Sequence, residues 1–479
     1  MTAGVALARS RPAGGPLQPV AILALAGAAI AGGGAIGYLV AAGLWYVALA
    51  LVLALPWFVV LHRYPLVAIT VWLFASPLVS ATDGSTVRQV YWVVHRALPV
   101  AALAALAVSA LLGLRTRELP RLGWAEALMG GYVVVTLLSI AYTAPDAFAN
   151  AYVLYDSVVV PMCLYLLVRL SDPDEEDVRR LVPAVVFIVG TQAAVALLSW
   201  TAPEVLPDEW TRKAGQRTTG TLRSADVFGT TMVFCGLFLL YVGARARRPL
   251  RRVAAVALFM LAMIMVFLSF SRASWLAGLV AGTGALLINR RHLRQLALLV
   301  VPVIVVVWAS GLLTQQFDFA EYRLSSAQAE ESALSRLPAA QAALRMVDRE
   351  PMVGWGYQNF DLYSRPFQGQ VGDLVGAAQP HASHNLYLTT LAEQGIVGFV
   401  LFVGPTVFWL MRTRSVMPNL PRTGLIGRDL VVSLWLIVAA YHVTNNFSRM
   451  QVTTGLGLFW LTLGLLASIV ERYRKAGVA

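Results

Sequence analysis

The sequence is poor in charge. Only 13% of its 479 residues are Asp, Glu, Lys or Arg, while 58% are hydrophobic, and soluble proteins carry roughly a quarter charged residues. That balance excludes an ordinary soluble fold, and it equally excludes a disordered chain, which needs low hydrophobicity. Cysteine is nearly absent. Cys163 and Cys235 are the two present, both inside apolar stretches, so there is neither a disulfide scaffold nor a thiolate metal site. Histidine is scarce as well, with six in the chain, so a histidine in a polar segment at a membrane edge carries weight.

Long apolar runs are what the sequence does have. A helix needs about 20 residues to cross about 30 Å of hydrocarbon, and candidate spans fall near 20–41, 43–61, 66–81, 97–114, 124–143, 149–169 and 180–200. Others fall near 226–243, 251–270, 273–289, 293–313, 385–411, 429–447 and 452–470. The expected fold is therefore all-α, a polytopic membrane protein with about 12–14 transmembrane helices. The 38 glycines and 13 tryptophans fit it, because glycine lets helices approach closely and tryptophan favours the headgroup level. The first apolar run is longer than a signal-peptide core and more spans follow it, so a cleaved leader is not expected.

A net charge of +12 does not imply nucleic acid, because short cytoplasmic loops of any such protein collect Lys and Arg. With the N-terminus cytoplasmic, most of the basic residues fall on one side, including the clusters at 245–248 and 290–294. These are most simply topology signals. The expected organisation is a cytoplasmic N-terminus (1–19), a transmembrane region (20–313) carrying an external loop (202–225), an extracytoplasmic loop (314–384), C-terminal spans (385–471) and a cytoplasmic tail (472–479).

The two external segments hold the candidate chemistry. The first packs Arg212, Lys213, Arg217 and Arg223 beside a membrane face, where they suit an anion or, equally, lipid headgroups and neighbouring carboxylates. The second is longer than an unstructured connection should be. It contains a helical pattern over 335–348, with Leu334, Leu337, Ala340, Leu344 and Val347 on one side and Pro351 as a stop, which predicts an amphipathic helix on the outer surface. It ends in His381-Ala-Ser-His384-Asn385, two histidines three apart where a span begins, with Ser383 available as N-cap. A helix N-terminus welcomes an anion, and histidine suits proton transfer near neutrality. Arg272 stands between two apolar runs with no room for a loop, and a charge at the membrane edge points to function. Glu126, Asp156 and Glu393 lie within or near spans and draw the same suspicion, although each can pair with an arginine or cap a helix.

These residues resemble a known family. The stretch Ser271-Arg272-Ala-Ser-Trp275, the helix from Ser335 through Gln341-Ala-Ala-Leu-Arg-Met346, the run Pro351-Met-Val-Gly-Trp-Gly-Tyr-Gln-Asn-Phe360 and the run His381 to Gly398 look like the bacterial O-antigen ligase and polymerase superfamily. Arg217-Thr-Thr-Gly-Thr221 is similar to the family's earlier external arginine motif. After Gly220 the family often has an Asn-Pro-Asn-like sequence, whereas this chain has Ser224, Ala225 and Asp226. The resemblance implies a membrane glycosyltransferase that moves a glycan from undecaprenyl diphosphate to an acceptor hydroxyl of a glycan, lipid or protein, on the outer face of the cytoplasmic membrane.

In that reading Arg217 and Arg272 hold the donor diphosphate, with Arg223 and Arg336 as contributors, because arginine offers permanent charge in a bidentate fork. His384 is the base, His381 the second choice, and Asn385 orients a sugar hydroxyl. If the histidine is dispensable, Asp226 and Glu393 are the next bases. Many polyprenyl-phosphate-dependent enzymes place paired carboxylates in the first external loop, often with a divalent metal. That loop, around 41–44, has no acidic residue here, so no catalytic metal and no cofactor are expected. Partners are the lipid-linked donor, the acceptor and membrane lipids, with no nucleic acid. The alternative class is a transporter or flippase for a lipid-linked or anionic substrate, but such proteins commonly show internal repeats, and none is evident between the halves.

Overall fold

The computed structural model describes residues 56–79, 85–115, 119–211, 217–222, 224–288, 318–322, 325–326, 336–368, 383–421, 426–447 and 453–475, with short pieces between 34 and 43. The chain forms two compact units, residues 1–60 and 61–479, and little of the first is described. The described part of the second is built from helices: α1 (Leu66–Val79), α2 (Gln89–Leu111), α3 (Trp124–Thr143), α4 (Ala147–Ser171), α5 (Val182–Thr201) and α6 (Ala225–Ala244). There follow α7 (Pro249–Leu268), α8 (Arg272–Ile288), α9 (Arg336–Arg349), α10 (Leu386–Val416), α11 (Arg428–Asn445) and α12 (Thr453–Lys475). Among the described residues, eight helices are long and apolar enough to cross a membrane. The protein is an all-α, multi-pass membrane protein, and the expected spans at 20–41, 43–61 and 293–313 lie largely outside the described residues.

Backbone groups have no water to bond inside a bilayer, so helices are the form these runs take, and charges within them must find partners. Arg96 illustrates this. It stands just before the span expected near 97–114, but the structure puts it inside α2, where the Asp156 carboxylate accepts from its Nε at 2.6 Å and the rings of Tyr91 and Tyr152 flank its guanidinium. Both α2 and α4 widen into a π turn there, at Trp92–Ala97 and Tyr155–Val159. Deeper in the bundle, Arg169 is fully buried, 3.5 Å from Glu126 and 3.6 Å from Glu471, and stands over the Trp409 ring. Glu126 also caps α3 by accepting from Gly123 N at 2.7 Å, and it accepts from Tyr165 Oη at 2.6 Å. Thus Asp156 and Glu126 take the structural roles open to them from sequence.

α10 is not one continuous helix. It breaks at Gly395, whose φ of +63° favours glycine, and the run from Pro351 to Phe360 takes up the backbone groups the break releases. Ile396 N donates to Pro351 O at 2.8 Å and Val397 N to Met352 O at 3.2 Å, while Trp355 N donates to Ala392 O at 2.9 Å and Gly356 N to Glu393 O at 2.7 Å. The Glu393 carboxylate, 2% exposed as a residue, accepts from Phe360 N at 3.2 Å. Irregular backbone is tolerated at membrane depth where protein satisfies it in this way.

The amphipathic helix expected at 335–348 is α9, but it packs by a different face. Ala339, Ala342, Ala343 and Met346 are buried, with Ala343 and Met346 packed against Phe360 and Ala392, whereas Leu337 and Leu344 are 46% and 53% exposed. Alanines let two helix backbones come close, as at other membrane helix contacts, and this outweighs the larger area of the leucines. Val347 does pack at the margin of the buried cluster.

Candidate active site

The site begins with the segment that carries Arg217. Trp200 Nε1, near the end of α5, donates to Thr218 Oγ1 at 3.1 Å. Thr221 N donates to Gln192 Oε1 at 3.0 Å, and Thr221 Oγ1 donates to Pro77 O at 2.7 Å. The turn between requires Gly220, at φ +58°, where a Cβ would stand 2.2 Å from Gln192 Oε1. With its anchors fixed, Arg217 reaches the start of α6. There Ser224 accepts from Asp226 N at 3.3 Å as the N-cap.

Asp226 is the hub. Its carboxylate lies 3.7 Å from Arg217 Nη1 and accepts from the Ser271 hydroxyl, while its carbonyl accepts from Ser274 Oγ at 3.2 Å. Ser271 and Ser274 flank the start of α8, whose first residue is Arg272. The turn from α7 into α8 is tight, with Phe270 at φ +49° and Trp275 Nε1 donating to Phe267 O at 2.9 Å. The beginnings of α6 and α8 touch because residue 229 is glycine: a Cβ there would fall 2.4 Å from Ser274 Cβ.

α9 and α10 complete the arrangement. Arg336 is the first residue of α9. Desolvation and the charges of Arg272 and Arg217 hold its pKa below the usual arginine value, opposed by Asp226. His384 precedes α10 with φ +51°, a left-handed conformation uncommon outside glycine, although histidine is one of the residues enriched there. Its imidazole is held below the usual pKa by partial desolvation first, then by Arg336 and Arg217, with Asp226 opposing. Arg217, Arg272, Arg336, Asp226 and His384 thus form one electrostatic group where α6, α8 and α10 begin, and the positive ends of three helix dipoles add to it. Around Arg336 and His384, arginine charge exceeds carboxylate charge among the described residues.

Not every expected residue joins the group. Asn385 rather than Ser383 caps α10, its Oδ1 accepting from Tyr387 N at 2.9 Å and Leu388 N at 3.1 Å. Its Nδ2 donates to Asn446 O at 3.2 Å, so both ends of the side chain hold protein groups. Ser383 instead bonds the Asn385 backbone, its Oγ accepting from Asn385 N at 3.2 Å. Glu393 holds the 351–360 run, as described above. His381 and Arg223 lie outside the described residues. Asp226, the alternative base in the sequence reading, is in contact with Arg217 and with Ser271. The sequence signal for Asp226 was the acidic residue standing where the resembling motif has a neutral one, and Ser271 belongs to the Ser271-Arg272 stretch quoted above. No cluster of three or more His, Cys, Asp or Glu able to hold a metal is found among the described residues.

Arginines and a histidine thus stand together where helices begin in a multi-pass bundle. In comparison with protein families, residues 255–403 match the O-Antigen ligase family model. This matched segment, which holds Arg272, Arg336, His384, Asn385 and Glu393, is similar to the O-antigen ligases and supports the resemblance to the O-antigen ligase and polymerase superfamily. Arg217 and Asp226 lie before the matched segment. No curated protein matches the chain.

Proposed function

We propose that the protein transfers a glycan from undecaprenyl diphosphate to an acceptor hydroxyl, carried by a glycan, lipid or protein, at the outer face of the cytoplasmic membrane. The observation that carries the reading is the gathering of Arg217, Arg272 and Arg336 with His384 at three helix starts. A diphosphate is already a competent leaving group, so the protein has chiefly to hold it and match its charge. Arginine forks and helix N-termini do both without proton exchange.

In this mechanism the acceptor oxygen attacks the anomeric carbon as the bond from that carbon to the diphosphate oxygen breaks. The electron pair leaves with the diphosphate, held by the arginines, and the configuration inverts. The hydroxyl proton passes to the His384 imidazole, whose charged form is disfavoured first by partial desolvation and then by the neighbouring arginines. Diphosphate binding adds negative charge beside the ring and strengthens the base as the complex forms. Arginines occupy the place a divalent cation takes elsewhere, so turnover needs no metal.

The test is glycan transfer by the purified protein from a synthetic undecaprenyl diphosphate donor, with and without chelator. His384→Ala is expected to lose about 10² to 10⁴ in rate, the usual contribution of a positioned base, while still binding donor. His384→Asn separates chemistry from conformation, because asparagine tolerates positive φ but cannot serve as the base. Near wild-type turnover in His384→Asn, or loss of activity on chelation, would overturn the mechanism.

A further inference from the structure

At the opposite end of α6 from Asp226, the start of α5, the end of α6 and the start of α7 enclose a cleft of about 590 Å³. Its mouth carries Arg245, Arg247, Arg248 and Arg251, with Arg179 on the α5 side, and its wall is apolar, including Val186, Leu239 and Leu258. Arginines on this side are expected from topology alone. Topology, however, requires only that they lie in the loop, not that they surround an apolar cleft between helices.

The charges there are unevenly matched. Arg245 pairs with Asp429 and stacks on Tyr241, and Arg179 stands 3.8 Å from Glu175. Arg247, Arg248 and Arg251 are exposed and make no ion pair with a described carboxylate. The start of α7 makes the imbalance worse. It has no side-chain cap and no acidic residue in its first turn, and Arg251 and Arg252 sit where the positive end of the dipole opposes them. Natural helices place acidic side chains or bound anions at that position. An anion at the cleft mouth would satisfy the helix start and the three arginines together.

The geometry points to this cleft as a binding site for an anionic glycerophospholipid, with the phosphate among Arg247, Arg248 and Arg251 and an acyl chain along Val186, Leu239 and Leu258. Free phosphate matches the mouth but leaves the apolar wall uncovered, and a zwitterionic lipid matches the wall but not the charge. Basic pockets between membrane helices bind anionic headgroups by this combination. The inference is independent of the transferase reading, since the cleft and the His384 group lie at opposite ends of α6.

The full-length protein, purified and exchanged into lipid, is examined by native mass spectrometry and by its melting midpoint with phosphatidylglycerol or phosphatidylcholine of matched chains, or with inorganic phosphate. Phosphatidylglycerol is expected to be retained at least roughly tenfold better than phosphatidylcholine and to raise the midpoint, while inorganic phosphate does neither. The combined Arg247→Gln, Arg248→Gln, Arg251→Gln variant is expected to lose that preference. Ala254→Trp, which narrows the cleft with every arginine in place, is expected to lose it too, and each variant's midpoint in phosphatidylcholine reports its folding. Equal retention of both lipids by the unmodified protein overturns the proposal. So does a preference that survives Ala254→Trp, which would mark surface charge alone, or a midpoint rise of equal size with inorganic phosphate.

Discussion

Two sets of arginines in this molecule look alike in sequence and differ in what surrounds them. Arg96 and Arg169 are drawn into the bundle, where carboxylates stand within 2.6 Å for the first and within 3.5 and 3.6 Å for the second, and aromatic rings cover the guanidinium faces. Arg217, Arg272 and Arg336 gather at helix starts, where Asp226 acts on Arg336 together with the charges of the other two arginines. A compensated arginine fastens helices together. The second set, in which Arg217 stands 3.7 Å from Asp226, gathers where helix dipoles are also positive, the setting that the proposed reading assigns to a donor diphosphate.

The largest expected effect tests the compensated set. Removing one partner of a buried ion pair leaves the other charge stranded and typically costs about 3–5 kcal/mol. Arg169→Leu removes the one arginine that joins Glu126 on α3 to Glu471 on α12, leaving Glu126 its hydrogen bonds from Gly123 and Tyr165 and Glu471 only the more exposed Arg474, and is expected to lower the melting midpoint sharply, with yield falling alongside. Arg217→Gln, at a partly exposed position, is expected to leave the midpoint nearly unchanged. Equal melting losses in the two variants would erase the distinction between the sets.

A smaller effect is expected from Arg217→Lys and Arg272→Lys. Charge is kept while the planar fork is lost, so donor transfer should fall by at least roughly tenfold, about 1.4 kcal/mol in the transition state, with folding intact. Full activity in both variants would reduce these arginines to point charges at a headgroup level.

How much of this was legible beforehand follows the same division. The helical architecture was readable because only helices satisfy their backbone in lipid, and the long apolar runs leave no other form. Arg217, Arg272, Arg336 and His384 drew attention in the sequence because charge at the edge of an apolar run is costly, and the structure adds that they stand near one another. What composition hides is pairing. Nothing in the sequence around Arg96 announces that Asp156, 60 residues away, will draw it into a helix. Nor does Asn385 reveal that it caps α10 rather than reaching for a sugar. The packing face of α9 was misread because hydrophobicity favours leucine, whereas close approach to α10 favours alanine. The break at Gly395 had a signal, a glycine after Glu393 and Gln394 inside a long apolar run, but the partner that stabilises it lies in the preceding loop.

The smallest effect is also the most discriminating, because its sign is fixed by the charges around His384. Partial desolvation and the guanidinium charges of Arg336 and Arg217 press the imidazole pKa down, and Asp226 pulls it up. The acidic limb of kcat/KM reports the ionisation of an essential base in the free enzyme. In the unmodified protein that limb is expected below the ordinary histidine range. Arg336→Gln removes a charge that disfavours the imidazolium, so the ring holds its proton to higher pH and the limb moves up. Arg336→Lys keeps the charge and should leave the limb in place, whatever it does to the rate. Asp226→Asn removes the opposing term, so its limb moves down. A purely structural His384 gives no limb that follows these charges, and a base other than His384 gives one that survives His384→Asn. Opposite displacements in Arg336→Gln and Asp226→Asn, both abolished with the histidine, are what the geometry requires of a general base held between an arginine and a carboxylate.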